Sequence, residues 1–110
     1  MKNLVIQAQR DAKLQAQVKY WAAGAPSYRW IDIVSERFRV GQAGNIQRTF
    51  AYMAMAMHDA TVATWESKYH YRRPRPSLVD DDVRTALQVL ESPSYPSEHA
   101  AAAQAAATVL

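Results

Sequence analysis

From Ile46 to about Lys68 the chain contains neither glycine nor proline, while Gly41 and Gly44 precede the run and Pro74 and Pro76 follow it. A stretch of helix formers opened by Asn45, a good N-cap, predicts one long helix. Its middle, Phe50 to Met57, is apolar on every side, which predicts a helix surrounded by other helices. Met53, Met55 and Met57 are expected in the core. Ala51, Ala54, Ala56, Ala60 and Ala63 would let neighbours approach closely. A chain organised around such an element is expected to be all-α, a helical bundle.

The flanking segments fit that class. A first helix is expected over about 4–23, with Val5, Ala8, Ala12, Gln15, Val18 and Ala22 near one stripe. Gly24 and Ala25-Pro26 stop it. A second, over 27–40, carries Trp30, Ile31, Ile33, Val34 and Phe38 among charged residues and ends at the Gly41 to Gly44 break. The long helix takes about 45–69, and the alanine-rich end predicts a helix over 97–110 by propensity alone. Residues 80–90 read either as a short amphipathic helix, through Val83, Ala86, Leu87 and Leu90, or as an extended segment held by flanking prolines. No strand signal and no repeat competes. The whole, 1–110, is expected to be a single all-helical domain or fragment. Its last helix carries no stop signal, so a fragment or an obligate homo-oligomer is expected.

Composition removes several classes. With 110 residues, 49% hydrophobic and 21% charged, the chain has the make-up of one small folded domain rather than of a disordered segment. Absence of cysteine removes disulfides, thiolate metal sites and Cys nucleophiles, and no protein-held metal is expected. A net charge of +3 is too small an excess to argue for nucleic acid. The cations also cluster in one short proline loop without the spaced aromatic platforms of single-strand binders. No run of about 18 apolar residues predicts a membrane span. The start, MKNLVIQAQRDAK, is unlike a signal peptide; the compartment stays undetermined.

Two short motifs carry chemistry. Lys68 and Arg75, followed by Pro76, lie where the long helix gives way to the cationic loop Arg72-Arg-Pro-Arg-Pro76. Both can point into one pocket, and the plain alternative is a lysine complementing a helix C-terminus beside solvated arginines. Pro96-Ser97-Glu98-His99 opens the last helix with Ser97 at its N-cap. Free first-turn amides, the positive end of the helix dipole and the Ser97 hydroxyl form a ready anion site. The plain alternative is an ordinary Ser cap with Glu in the first turn. His99 sits beside that site, suited to proton transfer.

The stretch Ala56-Met-His-Asp-Ala-Thr-Val-Ala-Thr-Trp-Glu-Ser-Lys-Tyr-His-Tyr-Arg-Arg-Pro-Arg-Pro76 followed by Tyr95-Pro-Ser-Glu-His-Ala100 resembles the vanadium-dependent haloperoxidases and the related type 2 phosphatidic acid phosphatases. The resemblance covers roughly residues 45–110, and it makes the chain the N-terminal and central portion of such a fold. It implies that Lys68 and Arg75 hold oxygens of vanadate or phosphate, that Ser97 and the amide of Glu98 donate hydrogen bonds, and that His99 is the acid-base residue. The implied partner is a small oxyanion or phosphate ester, with vanadate as cofactor in the haloperoxidase branch, to which the Ala-Thr-Trp-Glu-Ser-Lys-Tyr-His-Tyr stretch inclines.

Two departures stand out. Glu98 replaces the usual glycine, and a carboxylate near a bound anion costs Coulomb energy unless it turns away or pairs with an arginine, for which Arg73 is the expected partner. The third family motif, Ser-Arg, five residues, His, which supplies the attacking or ligating histidine, is missing: the chain has no Ser-Arg pair. His58 and His70 precede both matched motifs. Asp59 is expected either to orient a cation of the site or to be a buried carboxylate satisfied by an arginine. A non-catalytic helical assembly module is the alternative reading.

Overall fold

The computed structural model describes residues 6–7, 11–40 and 45–110. Among these the fold is all-α, and four helices carry it: α1 (Ala12–Trp21), α2 (Tyr28–Arg39), α3 (Ile46–Tyr71) and α4 (Glu98–Val109), with a 3-10 turn at Pro76–Leu78.

The long helix forms where the glycine- and proline-free run predicts it. Asn45 has extended backbone and its side chain accepts from the Arg48 amide at 2.9 Å. At the other end Arg72 turns into the left-handed region, with φ 46°, and its amide donates to the Lys68 carbonyl. Pro74 then forbids further helix.

Packing selects one face of α3. Met53, Met57, Thr64 and Lys68 are buried on it, four and seven residues apart as a helical stripe requires. Against that stripe lies α4, whose buried residues are Ala102 and Ala106. Two alanines one turn apart give the partner helix close access, which is the use the alanine-rich segment serves here. Val34 of α2 closes the core, and Trp30, Phe38, Phe50, Ala105 and Val109 pack around it.

The opposite face of α3 is open, which corrects the expectation of a helix enclosed on every side. Tyr52 and Val62 are exposed there, and so is Met55, at 63%. Met55 cannot share the core with Met53 and Met57, because two residues along a helix turn the side chain about 200°.

The first expected helix, 4–23, is also corrected. Asp11 has extended backbone and its carboxylate accepts from the amides of Lys13 and Leu14, so α1 begins at Ala12. Residues 6 and 7 are helical; the remaining part of that expectation, and the expected break at Gly41 to Gly44, lie outside the described residues. Gly24 at φ 106° occupies backbone space that side-chain-bearing residues avoid. It turns α1 into α2, and the corner is fastened by Trp21 against Trp30, 5.6 Å between rings, and by the Arg29 guanidinium on the Tyr20 carbonyl.

Between Asp80 and Ser97 the chain forms neither helix nor strand. Of the two readings open for residues 80–90, the helical one is not adopted. No helix among the described residues is long and apolar enough to cross a membrane.

Candidate functional site

Three short segments meet at the C-terminal end of α3. Its last turn presents Lys68, the proline loop presents Arg75, and the loop 92–97 leads into α4. The loops are clasped together: the Ser94 amide donates to the Arg73 carbonyl at 2.9 Å, and the Ser94 hydroxyl donates to the Pro74 carbonyl at 2.9 Å. Tyr95-Pro96 is a cis peptide.

Both cations of the first motif serve this clasp. Lys68 Nζ donates to the Pro93 carbonyl at 2.6 Å. Arg75 Nε donates to the Ser92 carbonyl and its second guanidinium nitrogen to the Ser92 hydroxyl, each at 2.9 Å. These acceptors are loop carbonyls without helix or ladder partners, which buried or half-buried backbone must satisfy somehow. Ser92 and Pro93 were not singled out from sequence, because a backbone carbonyl leaves no trace in side-chain pattern. The loop character of Ser92 to Pro96 was the signal that free acceptors would lie there.

The second motif caps α4. Ser97 is extended, and its hydroxyl oxygen accepts from the Ala100 amide at 3.3 Å. The amides of Glu98 and His99, in the first turn, have no intrahelical acceptor by construction. Glu98 turns toward α3 instead of toward Arg73: its Oε2 lies 3.6 Å from Lys68 Nζ, with the side chains 3% and 12% exposed for Lys68 and Glu98. The Glu98 Oε2 atom is buried and accepts no hydrogen bond. Arg73 is exposed, so the expected Arg73 partnership is replaced by one with Lys68.

Arg75, Ser97, Glu98 and His99 line one open groove of about 980 Å³, whose other walls include Leu14 and Val18 from α1, Pro26 from the turn after it, and Arg84, Leu87 and Leu90 from the irregular segment. Lys68 lies beneath Glu98 and is not on the groove wall. Asp59 is neither a buried carboxylate nor near the site: its side chain is 82% exposed and lies 3.4 Å from His58. It sits two residues beyond Met57, on the open face of α3. His70 is exposed and stacks edge-on against Tyr71. Among the described residues no cluster of His, Cys, Asp or Glu has a metal-holding arrangement.

Residues 48–84 match the family model described as the VCPO second helical-bundle domain. Over that segment the chain is similar to that helical-bundle domain of the vanadium haloperoxidases. The matched segment contains most of α3 with Lys68, the cationic loop with Arg75 and the 3-10 turn, and it ends before Ser97 and His99. Comparison with curated proteins and with solved structures finds no match. The all-α architecture of the described residues is consistent with a helical-bundle domain.

Proposed function

We infer that this chain is the oxyanion-binding part of a haloperoxidase-related enzyme, and that it takes vanadate, or phosphate as its structural analogue, through Lys68, Arg75, the Ser97 hydroxyl and the first-turn amides of α4. One observation carries the reading: Lys68, the lysine inside the family match, is held almost fully buried against the start of α4. A buried ammonium needs an anion beside it, a place taken here by the Glu98 carboxylate at 3.6 Å, and the free amides of the same helix N-terminus favour anions there too. The donor set is chemically apt for a tetrahedral oxyanion, with two cations, one hydroxyl and backbone N–H groups.

Each residue has a role in this reading. Lys68 and Arg75 neutralise charge on the oxyanion, Ser97 and the Glu98 amide orient it, and His99, exposed on the groove, exchanges protons with what enters. Vanadate, when bound, would supply activation of peroxide for halide oxidation. His58 and His70 do not line this groove, so the 110 residues are read as binding without turnover. The phosphatase alternative uses the same four donors with a phosphate ester.

A second reading has its own observation. Every hydrogen bond of the Lys68 and Arg75 side chains described above goes to Ser92 or Pro93, the arrangement of a structural clasp in a non-catalytic helical module. Calorimetric titration of the 110-residue chain with orthovanadate separates the two. Binding that is lost in Arg75→Ala and Lys68→Met, with helix content retained by circular dichroism, supports the oxyanion site; identical heats in all three proteins leave the clasp alone.

A further inference from the structure

We propose that Glu98 is a built-in occupant of the anion seat, its carboxylate lying where an oxyanion would meet Lys68, so that Glu98 sets how tightly the site binds. This rests on the oxyanion reading above. Lys68 Nζ has three N–H groups, of which one is used on the Pro93 carbonyl. Toward the first turn of α4 its nearest charged neighbour is Glu98 Oε2 at 3.6 Å. That oxygen is shut from solvent yet accepts no hydrogen bond, an arrangement that is costly for an ionised group unless a counter-charge holds it. The Lys68 charge is that counter-charge.

Access follows the same geometry. An anion entering the groove meets Arg75, Ser97, Glu98 and His99 at its wall, and it meets Glu98 before Lys68. Two anions at one ammonium repel, so Lys68 becomes available only when the Glu98 side chain swings away. Glu98 is the first residue of α4, and a side chain at a helix start can change rotamer without unwinding a turn. Its backbone amide stays in place throughout, so the residue contributes one donor and one competitor to the same seat.

The test is isothermal titration of orthovanadate, and separately of inorganic phosphate, into the wild-type chain, Glu98→Gly, Glu98→Gln and the double variant Glu98→Gln with Arg75→Ala. Removing the competitor should tighten binding at least about tenfold in both single variants, because like charges at short range are strongly suppressive. Arg75→Ala should reverse the gain. Glu98→Gln keeps the side-chain shape and decides the matter if Glu98→Gly loses helix content. Affinity unchanged or weaker in Glu98→Gln, with binding still dependent on Arg75, overturns the role of Glu98 and leaves the oxyanion site standing. Absence of binding in every variant overturns both. Vanadate and phosphate arms that differ in the size of the gain identify which oxyanion the vacated seat prefers.

Discussion

Lys68 Nζ and Glu98 Oε2 lie 3.6 Å apart with both side chains nearly shut from water, and this pair ties the end of α3 to the start of α4. Burying two charges costs solvation that mutual attraction recovers only partly, while removing one partner strands the other. Lys68→Met should therefore destabilise the chain by about 3 kcal/mol or more. Adding Glu98→Leu to it should restore most of the loss, since both charges are then gone. Urea denaturation of the three proteins measures this, and additive losses in the double variant would show that the two side chains are not coupled.

Two methionines two residues apart on α3 differ in what they hold together. Met53 has no exposed surface, so Met53→Ala should cost about 2–5 kcal/mol. Met55 stands on the open face, and Met55→Ala should stay within about 0.5 kcal/mol. Equal effects would place Met55 in the core after all.

Much of this was readable in the sequence because it depends on local chemistry. The bounds of α3 follow from Asn45 and from the prolines after Arg72, and Ser97 caps α4 by the rule its type predicts. Other features depend on which way a helix is turned. Asp59, in the middle of an apolar run, is expected from sequence either to orient a cation of the site or to be a buried carboxylate, yet its angular position puts it opposite the stripe of Met53, Met57, Thr64 and Lys68. Pairing of Glu98 with Lys68 instead of Arg73 has the same origin: α4 packs on α3, and the left-handed turn at Arg72 leads the chain away before Arg73. Partners such as the Pro93 carbonyl are invisible to any side-chain pattern.

The clasp predicts local loosening. Arg75→Ala removes a charged donor from the Ser92 carbonyl and hydroxyl. A loss of about 1–2 kcal/mol is expected for a half-buried charged pair of bonds. Arg75→Lys should restore little, because an ammonium cannot reproduce the fork. Hydrogen exchange read at Ser94, whose amide donates to the Arg73 carbonyl, should quicken in both variants. Protection unchanged in Arg75→Ala would remove the clasp from the account.

Turnover by the 110-residue chain should remain at background. His58 has a side chain 74% exposed and pairs with Asp59, His70 packs on Tyr71, and His99 is the histidine on the groove. One histidine cannot both transfer the proton and act as nucleophile or ligand, and loss of a nucleophile costs several powers of ten in rate. Assays with p-nitrophenyl phosphate, and with bromide, peroxide and vanadate, check this beside His99→Ala. Turnover of order one per second, abolished by His99→Ala, would show that a histidine already present completes the site.

In the proposed site an oxyanion sits between the end of α3 and the first turn of α4. Amide chemical shifts of the isotopically labelled chain, followed while orthovanadate is added, test it most directly. The account predicts that the amides of Glu98 and His99 move first and furthest and saturate together, that Arg75→Ala abolishes the movement, and that the amides around Asp59 stay still. Shifts scattered over the exposed cations Arg48, Arg72 and Arg73, with Glu98 and His99 unmoved, would contradict it.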